Sequence, residues 1–439
     1  MCLSLALVKE RVTWWHALLL CVRFLDVVCD SLVVGNWIMF ASEALKADDF
    51  FPLFAQALFA VAVAIFGTAG AMSYQDFWPD KGPLLAVAMC RLITMAVTLA
   101  IAIIGWATPA SMLSGGYAIA TILLTIAYAG AEAFDSMAFF LAWTRLSAGS
   151  DMLNLAFFMA DYILANLGMA AAAGITTGIR AACYPDYGRA GNILFTLGAV
   201  LMFVVAVLAR TVYRHYAPTK EMKAPPIEHR EFTASDFFPF STFTLATLPN
   251  LMAYAQMAAM LPKYMKRRFS MGVYYPLVQA INPLLVAPLT FLLPGLLSFL
   301  PSSLPPKLIF ASATAGQALS FLNVLAFPDS EWGVVIAVVS LTIGEASWIP
   351  RSRAYVSLQL LPNGKQGYYM GILALPIALI TGATLLSSFP LLDAYCPEGG
   401  ACDPTLWAWV AGTAGLTPLL LFLSYLWDRC RQVEGETRL

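Results

Sequence analysis

Charge is what this chain has least of. Only 12% of its 439 residues are Asp, Glu, Lys or Arg, about half the usual share of a soluble domain. Apolar residues make up 60%, and mean hydropathy is +0.74. A chain so poor in polar groups cannot cover its own surface, so part of its solvent is lipid. That excludes a soluble enzyme and a disordered scaffold. Basic residues (25) are matched by acidic ones (26), so no basic excess points to a nucleic acid. His is nearly absent, with His16, His215 and His229 alone, which argues against a multi-histidine metal or haem site. The sequence has neither a GxxxxGK[ST] phosphate loop nor an HExxH pair. An ATP-driven pump or a zinc protease on this chain is therefore not expected, and no cofactor is implied.

Long apolar runs are what it has instead. A helix needs about 20 apolar residues to cross the hydrocarbon core. Twelve runs qualify, at roughly 13–41, 50–73, 84–107, 112–143, 152–177, 190–213, 236–261, 272–298, 306–328, 332–355, 366–389 and 405–427. They are continuous, not ten-residue alternations, which excludes a membrane β-barrel. The first run is too polar for a cleavable leader. The one long polar stretch, Arg214–Ser235, carries Pro218, Pro225 and Pro226. It divides the chain into a six-helix half (1–213), a cytoplasmic linker (214–235) and a second six-helix half with a short cytoplasmic tail (236–439). The expected class is therefore an all-α integral membrane protein with twelve transmembrane helices in the major facilitator arrangement.

Lys and Arg counts predict both termini in the cytoplasm, with seventeen basic residues, Arg91 among them, on that side against seven on the other. The cluster Lys263, Lys266, Arg267 and Arg268 runs against this pattern. Cys396 and Cys402 flank a Pro/Gly loop on the outer side, where a disulfide can close. Trp14, Trp15, Trp78, Trp332, Trp407, Trp409 and Trp427 cluster near span ends, as an interfacial belt does.

Ionisable side chains inside apolar runs cost several kcal/mol (about 2.5 to 3.5) unless paired or hydrated. Span 1 carries His16, Arg23, Asp26 and Asp30 at offsets that put all four on one helical face. Span 4 carries Glu132 and Asp135, span 5 Asp161 and Asn166, and span 10 Glu345. These acids have no nearby base in their own helices. They suit a proton relay facing a cavity, or else ion pairs with Arg23, Arg91 or Arg351 of neighbouring helices. Asn250, Gln256, Gln279, Asn282, Gln317 and Asn323 are neutral candidates for lining a cavity or tying helices together. Gly130-Ala131-Glu132 and Gly344-Glu345 recur about half a chain apart, in agreement with two related halves.

Gly344-Glu345, Pro350, Leu361-Pro362, Gly367 and Met370-Gly371 follow the order found in helices 10 and 11 of proton-dependent oligopeptide transporters, and the chain resembles that family there. Gln279 to Leu284, with Asn282-Pro283, is similar to its helix 8, and Asn166-Leu167-Gly168 to part of its helix 5. The resemblance spans about a fifth of the chain. It implies a facilitator fold, with Glu345 in the cavity of the second half. The acidic glutamate–arginine–phenylalanine motif of the family's helix 1 is replaced here by Arg23-Phe24-Leu25-Asp26 and Asp30, and Asp135 falls near a family lysine. Peptide specificity does not carry over.

Two functions compete. One is secondary transport of a small solute by alternating access, coupled to protons through Asp26, Asp30 and Glu345. The other is a facilitator-fold protein that no longer transports and serves as a receptor or assembly subunit. The carboxyl-terminal Glu436-Thr437-Arg438-Leu439 also fits a PDZ-domain partner.

Overall fold

A computed structural model describes residues 14–77, 83–107, 115–146, 151–216, 234–271, 273–297, 304–356, 360 and 366–436. The described residues are helical, with no strand among them. In chain order the helices are α1 (Trp14–Val33), α2 (Trp37–Glu43), α3 (Phe50–Phe77), α4 (Pro83–Ala107), α5 (Gly115–Leu146), α6 (Asp151–Ala182), α7 (Tyr187–Tyr216), α8 (Ala234–Phe269), α9 (Tyr275–Leu297), α10 (Pro306–Ser320), α11 (Leu322–Ala326), α12 (Glu331–Tyr355), α13 (Gln366–Tyr395) and α14 (Leu406–Glu436). Twelve are long, and α2 and α11 are short.

Seven stretches of these helices are long and apolar enough to span a bilayer, among them Leu84–Ala107 and Tyr187–Arg214. Only 39 to 50% of each such window is buried inside the protein. Large apolar side chains such as Ile119, Leu123, Val200 and Leu319 remain exposed. A helix that is apolar on its outward face as well as its packed face is solvated by lipid. The chain is an integral, multi-pass membrane protein.

Three sequence expectations are revised. The first run does not stay one helix: α1 stops at Val33, and α2 restarts at Trp37. Gly35 sits at the break, where a Cβ would stand 2.6 Å from the Ser31 carbonyl oxygen. Run 7 continues past 261 to Phe269, so Lys263, Lys266, Arg267 and Arg268 lie in the last turns of α8 rather than in a loop. Basic residues there complement the negative end of the helix dipole. Trp407 is not an interfacial residue. It is buried, stacked on Phe321 and edge-on to Tyr264, whereas Trp332, Trp409 and Trp427 are exposed.

The chain forms two compact units, Met1–Glu228 with Gly364–Leu386, and His229–Asn363 with Ser387–Leu439. In the first unit, α4 packs on α7 and α5, α3 on α5, and α1 on α6 and α7. Its apolar core gathers Leu19, Val22, Phe40, Val87, Phe195 and Met202, with Phe40 and Phe195 stacked at 3.8 Å. In the second unit, α14 packs on α10 and α8, and α12 on α10 and α9.

Candidate functional site

The first unit holds a cluster of ions in its interior. Arg23, Asp26 and Asp30 occur at i, i+3 and i+7, so α1 presents them on one face. Tyr128 and Glu132 are one turn apart on α5. Arg91 enters from α4 between them. Its guanidinium makes a two-pronged contact with Asp30, at 2.6 and 2.8 Å, and reaches Glu132 Oε2 at 2.8 Å. Arg91 Nε lies 2.5 Å from Asp26 Oδ1, a further ion pair. Arg23 donates to Asp26 at 2.7 Å and to Asp161 on α6 at 2.8 Å. The Tyr128 hydroxyl donates to Asp30 Oδ1 at 2.8 Å.

Four helices thus contribute two guanidiniums and four carboxylates, an excess of two acids among the described residues. The centre is dry, with Arg91 and Asp26 both at 0% side-chain exposure. The outer members Arg23, Asp30, Glu132 and Asp161 keep 15 to 19%. Charge held in such a place must be paired, because removing one partner strands the other without water.

The second unit holds a polar network of a different kind. Glu345 on α12 accepts a hydrogen bond from Asn282 of α9 at 2.7 Å and one from the Tyr254 hydroxyl of α8 at 3.0 Å. Tyr254 is in turn positioned by Gln317 of α10, whose amide nitrogen donates to its oxygen at 2.5 Å. The Gln317 carbonyl oxygen accepts from Asn250 at 3.0 Å and from the Trp348 indole at 2.7 Å. Gln317 is fully buried. A buried amide with its donor and acceptor both used fixes its neighbours in one arrangement.

Of the sequence candidates, Arg23, Asp26, Asp30, Glu132 and Asp161 come together in one cluster, and Glu345 joins Asn282 in the other. Glu132 and Asp161, acids with no nearby base in their own helices, each meet a guanidinium from another helix. Asn166 does not join the cluster; it donates to the Tyr162 carbonyl of its own helix. Gln256 is 5% exposed, and its Oε1 meets no hydrogen-bond partner among the described residues. Asp135 lies in α5 and His16 in α1, with side chains outside the described residues, and residues 437–439 of the tail also lie outside them.

By sequence Arg91 counts among the cytoplasmic charges and is also an ion-pair partner for the span acids, and its contacts fit the second reading. Counted as a cytoplasmic charge, it is wholly buried. Its position eight residues into an apolar helix was the available signal. Arg180 is similar: counted as an outer-side charge, it is buried, forks onto Glu43 at 2.8 and 3.0 Å, and stacks 4.5 Å from the centre of the Tyr187 ring.

In the second unit, Cys396 and Cys402 are joined by a disulfide. The loop they close is held by the end of α8: Arg267 donates to the Cys396 carbonyl, and Arg268 to the Cys402 carbonyl and the Asp329 carboxylate. The Thr405 N–H holds the Asp403 carboxyl below the usual carboxylate range, at the start of α14.

No family model and no curated protein matches this chain by sequence. Its fold matches solved structures closely. It is similar to a transporter of the POT family in complex with 5-aminolevulinic acid, with a TM-score of 0.72 and 14% identity over 93% of this chain and 95% of the other. It is also similar to the nucleoside transporter NupG, with a TM-score of 0.69 and 13% identity over 93% and 99%. The xylose transporter XylE from E. coli gives 0.68 and 10% over 93% and 98%. The chain has the major facilitator fold.

Proposed function

We propose that the protein is a secondary active transporter of a small solute, works by alternating access of its two halves, and is coupled to protons. The observation that carries this reading is the cluster around Arg91. Among the described residues, four carboxylates crowd around two guanidiniums in a low-dielectric interior. The least costly correction is a bound proton, since carboxylates that share a site do not all ionise. A group that holds a proton inside the membrane, at the partly exposed rim of a cluster, can load from one side and unload to the other. Asp30 and Glu132 are the proton carriers of first choice, with Asp26 as their fixed counter-charge on Arg91. Glu345, held by Asn282 and Tyr254, binds the solute or a second proton.

The fold supports this reading, because the similar structures named above are all transporters. One is in complex with 5-aminolevulinic acid, one is a nucleoside transporter and one a xylose transporter, and these compounds are all small and polar. A small polar solute is the substrate class proposed here. The chain acts as a carrier and not as an enzyme, its termini face the cytoplasm, and 1–213 and 236–439 are its functional halves.

Reconstitution in liposomes tests the proposal. A library of small polar solutes is offered under an imposed pH gradient. Uptake that depends on the gradient and collapses with a protonophore is expected. Arg91 gripping three carboxylates in a dry core also suits a fixed structural pillar, and this favours the second reading, a facilitator-fold receptor or assembly subunit. Absence of flux for every solute offered, from folded protein, selects that reading instead.

A further inference from the structure

The apolar span of α12 runs from Glu331 to Ile349. Trp332, Ile336 and Ile343 are exposed, and helical spacing puts them on one outward stripe, the face that a spanning helix turns to lipid. Trp332 marks the interface at the first end of the span. Arg351 stands nineteen residues further on, about 28 Å along the axis, close to the thickness of the hydrocarbon core. It therefore lies at headgroup depth in the opposite leaflet, at the edge of the same stripe. The helix end that carries it is fixed. Ser352 is buried, and Tyr355, one turn beyond Arg351, packs on Phe243 and Phe310 with ring centres 5.2 and 5.8 Å away.

The charge of Arg351 is unanswered. The side chain is partly buried, yet its guanidinium makes no hydrogen bond or ion pair among the described residues. Lys307 and Arg268 of the same unit, by contrast, meet Asp428 and Asp329, each at 2.6 Å. The sequence sharpens the contrast. No Asp or Glu occurs between Glu345 and Asp393, whereas Arg351, Arg353 and Lys365 all fall in that stretch. The side chains of Arg353 and Lys365 lie outside the described residues. A cation partly withdrawn from water is costly unless an anion meets it. The anion present at headgroup depth is a lipid phosphate, which the planar guanidinium fork matches with two parallel N–H bonds. We propose that the end of α12 and the segment after it bind the headgroup of an anionic phospholipid. Arg351 grips the phosphate, and an acyl chain runs along the outward stripe past Ile343. Arg353 and Lys365 add the positive field that selects a net negative headgroup over a zwitterionic one. The inference needs only the membrane placement of the chain and stands apart from the transport reading.

The test uses the full chain in detergent, incubated with equal amounts of phosphatidylglycerol and phosphatidylcholine of the same acyl chains. Native mass spectrometry counts the lipid retained. The parent should keep phosphatidylglycerol over phosphatidylcholine by about fivefold or more, the effect of one basic residue at an anionic surface. In Arg351→Gln that preference should fall towards equality. Equal retention of both lipids by the parent overturns the proposal, and so does an undiminished preference in Arg351→Gln. Arg429→Gln controls for charge alone, since Arg429 is exposed and donates to Tyr425 of its own helix. Its preference should match the parent; an equal fall there overturns the site, because any basic residue would then serve. Inorganic phosphate should displace no more phosphatidylglycerol than chloride does at the same ionic strength. Selective displacement by phosphate makes a soluble anion the occupant and overturns the lipid. If Arg351→Gln does not fold, the double variant Arg353→Gln/Lys365→Gln takes its place, and an undiminished preference there overturns the proposal equally.

Discussion

Arg91 contacts three carboxylates at once, and this sets the consequences of changing it. Arg91→Gln leaves Asp26 buried with one fewer cation and frees Asp30 and Glu132 to repel each other. Breaking a buried pair by removing one partner costs about 3 to 5 kcal/mol. A large drop in melting temperature is expected, read by tryptophan fluorescence in detergent. Arg91→Lys should not restore it, because a point-like ammonium cannot reproduce the planar fork on Asp30. A melting temperature near wild type in Arg91→Gln would mean that the cluster is not the structural centre argued for here. Glu345→Gln is a milder change. The amide oxygen still accepts from Asn282 and Tyr254, so the fold should persist, while the ionisable group is gone. Uptake that no longer changes with pH is expected, measured as initial rate in liposomes across a pH series. A pH profile identical to wild type would remove Glu345 from the coupling.

Which of these residues could be read in the sequence follows from the physics. Asp26, Asp30, Glu132, Asp161 and Glu345 are legible because an acid inside an apolar run demands a reason. Arg91 is harder, since it lies near the start of its run and snorkelling basic residues are common there. Tyr128 is illegible in sequence, and Gln317 is legible only as one of several span amides able to tie helices together. A tyrosine or an amide on a helix says nothing of whether its polar atom meets a carboxylate on another helix.

At the scale of the element, glycines control how closely helices approach. Gly344 of α12 faces α10: a Cβ there would collide with the Gln317 side chain and stand 2.9 Å from the Ala313 carbonyl oxygen. Gly344→Ala should therefore push α12 and α10 apart at the residue that positions Tyr254. Overpacking of this kind costs about 1 to 3 kcal/mol. The expected result is a lower melting temperature together with altered pH dependence of uptake, since the Glu345 network is strained as well. A drop in stability alone, with an unchanged pH profile, would separate Gln317 from the site. The disulfide gives a second element-scale prediction. Closing the short loop between Cys396 and Cys402 stabilises by roughly 2 kcal/mol on the chain-entropy account. Cys402→Ser should lower the melting temperature accordingly, and a reducing agent should do the same to the parent protein but not to the variant. Equal sensitivity of both to the reductant would place the effect elsewhere. The run lengths predicted the long helices well, because twenty apolar residues have few other fates. The break at Gly35 was lost, because Val34 and Trp37 keep the run apolar across it. The polar end of α8 was lost for the opposite reason. Helix propensity and the dipole extend a helix beyond its apolar segment, and hydropathy does not register that.

At the scale of the whole molecule, each compact unit carries its own buried carboxylate network, built on different chemistry. The first is ionic, around Arg91; the second is hydrogen-bonded, around Gln317 and Glu345. This separation makes a prediction that neither network makes alone. Stability changes from independent sites add within about 0.3 to 0.5 kcal/mol. Asp30→Asn and Glu345→Gln, which lie in different units, should therefore have additive effects on unfolding. Their effects on proton-driven uptake should not add, because a coupled cycle stopped at one step is not slowed further at another. The double variant is expected to transport no worse than the poorer single variant while its melting temperature falls by the sum of the two shifts. Both quantities come from the same four proteins, one by thermal unfolding and one by uptake under an imposed pH gradient. Additive losses of transport would mean that the two networks serve separate tasks, and the single proton-coupled cycle proposed here would have to be abandoned. Non-additive stability would mean instead that the two sites are energetically coupled, and would leave the transport comparison intact.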